Sequence, residues 1–219
     1  MTVHLMRELD RLKTTILDIS AQVEENVQKS VQALEKLDVV MAEQVIDGDE
    51  VVDRMEVDLE EDCLKICALH QPVAADLRFI ISVMKINNDL ERIADLASNI
   101  AERTISLAQS KRITPPYDFV AMADKVQQML KKSLDALVQL DRNLALEVIH
   151  LDDEVDQMYS DSYNQVKEQI RQHPEDLDSV LYYLSVSRHL ERIADLATNI
   201  AEDVTYMIEG EIIRHTFGQ

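Results

Sequence analysis

Residues 90–102 read LERIADLASNIAE and residues 190–202 read LERIADLATNIAE, identical at 12 of 13 positions at an offset of 100. An earlier block, SVQALEKLDVVMAEQVIDGDEVVD from Ser30, aligns with SLDALVQLDRNLALEVIHLDDEVD from Ser133 at an offset of 103, pairing Leu37 with Leu140, Asp49 with Asp152 and Asp53 with Asp156. The chain is therefore two copies of one unit, and any fold that suits it must be built twice. The change of offset places a three-residue difference between Asp53 and Asp76 or at its counterpart.

Each copy divides into three long helical patterns. In the first copy one helix is expected from Leu5 to Leu37. Asp38 then N-caps a second helix running to about Leu69, and His70, Gln71 and Pro72 break the chain before a third helix from about Ala74 to Ala108. The second copy repeats this, with breaks near Asp141 and at His173 and Pro174. Between the copies, KRITPPYD carries adjacent prolines and no helical period, so it reads as a linker. Only 3 Gly and 4 Pro occur in 219 residues, which excludes a turn-rich sandwich or barrel. The expected fold is all-α: two tandem three-helix bundles, residues 1–110 and 119–219, joined by linker 111–118. Helices of about 30 residues would each be about 45 Å long.

The chain carries 22 basic and 42 acidic residues, a formal charge of −20, so no basic stripe is available to hold a nucleic-acid backbone. Arg7, Glu8, Asp10 and Arg11 interrupt the start where a secretory signal needs an apolar run. No apolar stretch is long enough to span a bilayer, and two cysteines cannot make a disulfide framework. A cytoplasmic location is expected.

One helical face, followed in steps of four and three, reads Leu77, Ile81, Met84, Asn88, Glu91, Asp95, Ser98, Glu102 in the first copy. The same face in the second reads Leu177, Leu181, Leu184, Arg188, Glu191, Asp195, Thr198, Glu202. An apolar core stripe turns into a carboxylate stripe. The second helix of each copy runs the other way, from Asp49 and Asp53 or Asp152 and Asp156 into Cys63 and Cys67 or Val166 and Ile170. Antiparallel neighbours would bring the acidic ends together. Carboxylates that close either hold protons at raised pKa or bind a cation, and an oxygen-only set suits Mg²⁺, Mn²⁺, Ca²⁺ or ferric iron. The alternative is a solvated helix face. The repeat favours a site: residues 76–89 and 176–189 share only their first two positions, yet one turn later the acidic pattern returns in register.

Other constellations are weaker. Cys63 and Cys67 align with Val166 and Ile170 and read as small core residues. Glu147 and His150 form one Glu-x-x-His whose partners are Gln44 and Asp47, so a doubled di-iron motif is not supported. Arg92 and Arg192 read as i,i+3 ion-pair partners of Asp95 and Asp195, with an anion as the alternative role. No Gly-rich phosphate loop or nucleophile elbow is present.

At VIDGDEVVDRMEVDLEEDCLKI, QPVAADLRFIISVMKINNDLERIAD, HLERIADLATNIAED and EGEIIRH the chain resembles the PhoU family of bacterial phosphate-uptake regulators. One departure is visible: the family usually has Gly before the Asp of LERIAD, where Ala94 and Ala194 stand here. The resemblance implies two three-helix bundles that bind multinuclear iron, zinc, manganese or magnesium through Glu/Asp-x-x-x-Asp motifs, often as homodimers. It places the metal ligands at Asp49, Asp53, Glu91 and Asp95 and at Asp152, Asp156, Glu191 and Asp195, with Glu56, Asn99 and Asn199 as lesser candidates. It also implies a cytoplasmic negative regulator that relays the state of the phosphate ABC transporter, through its ATPase subunit, to a sensor histidine kinase. The competing function is a carboxylate-bridged hydrolytic or redox metal enzyme. No separate nucleophile, general base or substrate anchor accompanies the carboxylates, so the sequence favours a non-enzymatic adaptor.

Overall fold

The computed structural model describes residues 3–210, so the EIIRH end of the last family motif lies outside the described residues. Six α-helices follow one another: α1 (Val3–Lys36), α2 (Val39–His70), α3 (Ala75–Gln109), α4 (Phe119–Gln139), α5 (Arg142–Gln172) and α6 (Leu177–Glu209), with a 3₁₀ turn at Pro174–Asp176. There is no strand among the described residues.

The helix starts follow from capping. Asp38 accepts from Met41 N–H at 3.1 Å, Asp118 from Ala121 N–H at 3.0 Å, and Asp141 from Asn143 N–H at 2.8 Å, each satisfying an orphan donor of a first turn. Just before two of these caps the chain turns through left-handed backbone at Leu37 (φ 50°) and Leu140 (φ 51°), which occupy the same repeat position. In both, the next N–H reaches back to a helix carbonyl, Asp38 to Ala33 at 2.9 Å and Asp141 to Ala136 at 3.1 Å, the bond that closes such a C-terminus.

α1, α2 and α3 pack on one another, as do α4, α5 and α6, each trio burying its own apolar stripes. The expected core stripe is displaced. Leu77, Ile81, Leu177 and Leu181 stay about two-fifths exposed, while Ile80, Val83, Ile86, Leu90 and Ile93 are fully buried. The face carrying the carboxylates is the rim beside the core, because the fully buried positions lie about one residue further round the helix. Ala94 and Ala194, at the family's glycine position, are each 1% exposed, small enough to sit inside the packed core. Cys63 is fully buried and Cys67 half-buried against the core, in keeping with their packing role.

The second copy differs in one element. α4 spans 21 residues against 34 for α1, because Pro115 and Pro116 stand at the repeat positions of Leu12 and Lys13. A helix interior cannot accept that pair without losing backbone bonds. The linker is pinned instead: Tyr117 Oη donates to Tyr183 C=O at 2.7 Å, Ser179 Oγ to Lys111 C=O at 3.1 Å, and Lys111 pairs with Asp176 at 2.7 Å. The three-residue difference between copies is taken up where the second helix meets the third, since α2 and α3 flank residues 71–74 whereas α5 hands over to α6 through the 3₁₀ turn.

The two bundles meet mainly through α3 against α6, with a lesser contact between α1 and α4. α3 and α6 are antiparallel: Lys85 bonds Asp203 at 3.3 Å at one end, and Lys111, just past the other end of α3, reaches Asp176. Their LERIAD segments therefore cross at mid-length, related by a local two-fold axis.

Candidate metal centre

In the first copy α2 supplies Asp49, Asp53 and Glu56, and α3 supplies Glu91 and Asp95. Burial, then the charges of Asp95, Asp53 and Glu91, push the Asp49 carboxyl up to about 6. Glu91 is raised by burial and then by Asp95 and Asp53, and Asp95 by burial and then by Asp53. Glu56 is raised by burial, then by Glu60 and Asp53. The four carboxylates named from the sequence thus share one electrostatic neighbourhood. Asn87, buried beneath them, donates to Glu56 C=O at 2.9 Å and ties α3 to α2 at that height.

The second copy is tighter. One oxygen each from Asp156, Glu191 and Asp195 lies within 4.8 Å of the others. Burial and then Glu191 and Asp156 raise Asp195 to about 6, and burial, then Asp195 and Asp156, raise Asp152 to about 6. Glu191 rises through burial and then Asp156, opposed by Arg192 and Arg188. Asp152 Oδ1 accepts from Thr198 Oγ1 at 3.2 Å. In the first copy the equivalent Asp49 Oδ1 is buried and has no hydrogen-bond partner.

An orphaned buried carboxylate oxygen and an oxygen-only donor set both fit a hard cation such as Mg²⁺, Mn²⁺ or ferric iron. Asp49, Asp53, Glu91 and Asp95 would hold it in one bundle, and Asp152, Asp156, Glu191 and Asp195 in the other. Among the lesser candidates, Asn99 Nδ2 is spent on Asp95 C=O at 2.7 Å.

The expected ion pairs of Arg92 with Asp95 and Arg192 with Asp195 do not form. The arginines engaged in salt bridges among the described residues are Arg11, Arg103, Arg142 and Arg171. Arg92, Asp95 and Asn99 of α3, with Arg192, Asp195 and Asn199 of α6, line instead a cleft of about 280 Å³ over the local two-fold axis. Sequence reasoning missed this juxtaposition, for which the duplicated Arg and Asn of the two LERIAD blocks were the only signal.

Two other groupings lead nowhere chemical. His173, Glu175 and Asp176 approach one another, but Asp176 is already held by Lys111. Ser185 Oγ and His189 Nε2 lie 3.0 Å apart like a nucleophile and its base. The His189 Nδ1 has no partner to orient the ring, and burial followed by Arg103, Arg192 and Arg188 lowers its pKa to about 4, too acidic for a base at neutral pH.

A model of the PhoU domain matches the chain twice, at residues 16–104 and 119–204. The phosphate-specific transport system accessory protein PhoU homologue of Aquifex aeolicus is 39% identical over 96% of both chains. The Escherichia coli K12 protein named phosphate-specific transport system accessory protein PhoU is 31% identical over 96% of this chain and 88% of its own. The crystal structure of PhoU from Pseudomonas aeruginosa aligns with a TM-score of 0.91 and 37% identity, covering 94% of this chain and 99% of that one. That of the phosphate transport system regulatory protein PhoU from Streptococcus pneumoniae aligns at 0.84 and 30%, covering 95% and 98%.

Proposed function

The chain belongs to the PhoU family, and from that premise we propose that it is a non-enzymatic negative regulator of the phosphate-starvation response. In this reading it is a cytoplasmic homodimer that links the ATPase subunit of the phosphate ABC transporter to a sensor histidine kinase. The observation that carries the reading is the end-to-end correspondence with proteins named for accessory and regulatory roles in phosphate transport. Its location agrees with the lack of any helix, among the described residues, long and apolar enough to cross a membrane. A chain of charge −20 has no means of gripping DNA at long range, so its effect on transcription passes through protein partners.

The eight clustered carboxylates are read as ligands for iron, manganese, magnesium or zinc, the hard ions being the better match to oxygen donors. A bound cation would supply positive charge that cancels the repulsion within each cluster, and so fix α2 against α3 and α5 against α6. The long exposed flanks of those helices are the docking surface for partner segments.

Deleting the gene is expected to leave phosphate-starvation genes on in phosphate-rich medium, and the purified protein is expected to retain the transporter ATPase or the kinase's cytoplasmic part in a pull-down. Normal repression in the deletion strain would refute the regulatory reading. Turnover of phosphate esters by Mn²⁺-loaded protein, lost in Asp95→Ala, would replace it with the metal-enzyme reading.

A further inference from the structure

Arg92 and Arg192, from equivalent positions of the two copies, line one hollow. Like Arg7, Arg78, Arg112 and Arg188, they enter no salt bridge or hydrogen bond among the described residues, and they act on carboxylates only at longer range, Arg92 on Glu91 and Arg192 on Glu191 and Asp195. Both line the cleft over the α3–α6 crossing, where the Asn199 side chain, also without a hydrogen bond, joins them. A guanidinium presents a rigid fork of N–H donors shaped to an oxyanion, and here two forks from antiparallel helices share one hollow.

Arg192 also acts, with Arg103 and Arg188, on the half-buried His189, whose Nδ1 has no hydrogen-bond partner. The negative groups lining the cleft are Asp95 and Asp195; within the flanking clusters Asp53 repels the first and Glu191 and Asp156 repel the second, while Arg192 offsets part of the charge of Asp195. A cation held in those clusters would cancel their repulsion toward an anion between them. A hollow of about 280 Å³ has room for a small ion with a few waters, not for a polymer chain.

We infer that the α3–α6 cleft is an oxyanion site gripped by Arg92 and Arg192, one from each repeat, with inorganic phosphate as its ligand. The choice of phosphate among oxyanions rests on the phosphate-system reading above; the site itself rests on the paired arginines. Occupying it would join the two bundles at their crossing and make phosphate a direct effector of this protein.

The test is equilibrium dialysis of radiolabelled inorganic phosphate against the full chain loaded with Mg²⁺. Saturable binding of one phosphate per chain is expected, weakened at least about tenfold by Arg92→Gln or Arg192→Gln and abolished in the double variant. Arg7→Gln with Arg11→Gln, which removes two charges on the first turns of α1, should leave binding unchanged. Melting curves of the cleft variants should match the parent, since both arginines are exposed. No saturable binding at about 1 mM phosphate, or undiminished binding in the double variant, would overturn the inference. Its failure is separable from failure of the regulatory reading, which is judged in the deletion strain: phosphate binding can vanish while repression there is lost as expected, or persist while repression is normal.

Discussion

Residues 8–15 and 111–118 occupy the same register of the two copies, yet the first stretch continues α1 and the second is irregular chain. In the first copy the space is closed by a helix that buries Leu5 and Leu12; in the second it is closed by a pinned loop that buries Tyr117 and ties it to Tyr183. The carboxylate positions are the same in both. What the bundle requires at that end is apolar cover and satisfied backbone groups, and two backbone conformations meet that need equally. The pocket behind the carboxylates differs too. Asn26 and Gly48 of the first copy are replaced by Met129 and Leu151 in the second, and a Cβ on Gly48 would lie 3.1 Å from the Asn26 amide.

The largest break in this comparison should come from importing the second copy's solution into the first. Leu12→Pro removes a helix bond and a buried side chain, costing about 3 kcal/mol or more, or about 6–12 °C in melting temperature for a chain of this size. The reciprocal Pro115→Leu, in a stretch already held by its flanking contacts, should move the melting temperature by less than about 2 °C. Equal shifts for the two would mean that register, not backbone conformation, sets the tolerance.

Next in size is a difference in cation affinity. With three carboxylate oxygens already converging, the second cluster should take up Mn²⁺ about tenfold more tightly than the first, about 1.4 kcal/mol. Calorimetry should then show a tight step lost in Asp156→Asn and a weak step lost in Asp53→Asn. Two identical steps would remove the distinction. Smaller still, Tyr117→Phe forfeits one buried hydrogen bond worth about 1 kcal/mol, read as a fall of about 2–4 °C.

The smallest effect is the pH response of protein stripped by a chelator. Asp49, Asp152 and Asp195 have folded-state pKa values raised from 3.8 to about 6. The folded chain therefore binds more protons than the unfolded chain across that window. Their favourable contribution is complete below about pH 4 and lost as pH rises through about 6. Because these groups are half-exposed, solvent screening reduces what the shifts are worth to a small fraction; the stripped protein should melt about 2 °C higher at pH 5 than at pH 7, and Asp195→Asn should flatten the slope. A rise in melting temperature from pH 5 to 7 would show that the carboxylates are not mutually strained.

Much of the fold was legible because local chemistry dictates it. Asp38 caps where the sequence places it, Asp118 and Asp141 cap at the expected linker end and break, and Pro72, Pro174 and the Pro115–Pro116 pair end the periodic runs. The carboxylate set was legible because duplication repeats it over a changed background. Three features were not. A stripe traced by spacing cannot distinguish the core from its rim, which differ by about one residue of helical rotation, so spacing alone reads Leu77 and Ile81 as inward though both stay about two-fifths exposed. The pinning of residues 111–118 depends on Asp176, Ser179 and Tyr183, far along the chain. The partners of Arg92 depend on how α3 meets α6, a contact between residues about a hundred positions apart that no local pattern encodes.

The antiparallel crossing of α3 and α6 has a mechanical consequence. Each helix extends about 25 Å either side of the crossing, and packed helices move as stiff rods that slide and pivot on one another. A pivot of about 5° at that fulcrum would displace the four helix tips by about 2 Å, in opposite directions on the two bundles. The carboxylates and arginines sit near the fulcrum, where movement is least and leverage on the far ends is greatest. A small ion there would act on the molecule as a hand acts on the rivet of a pair of shears.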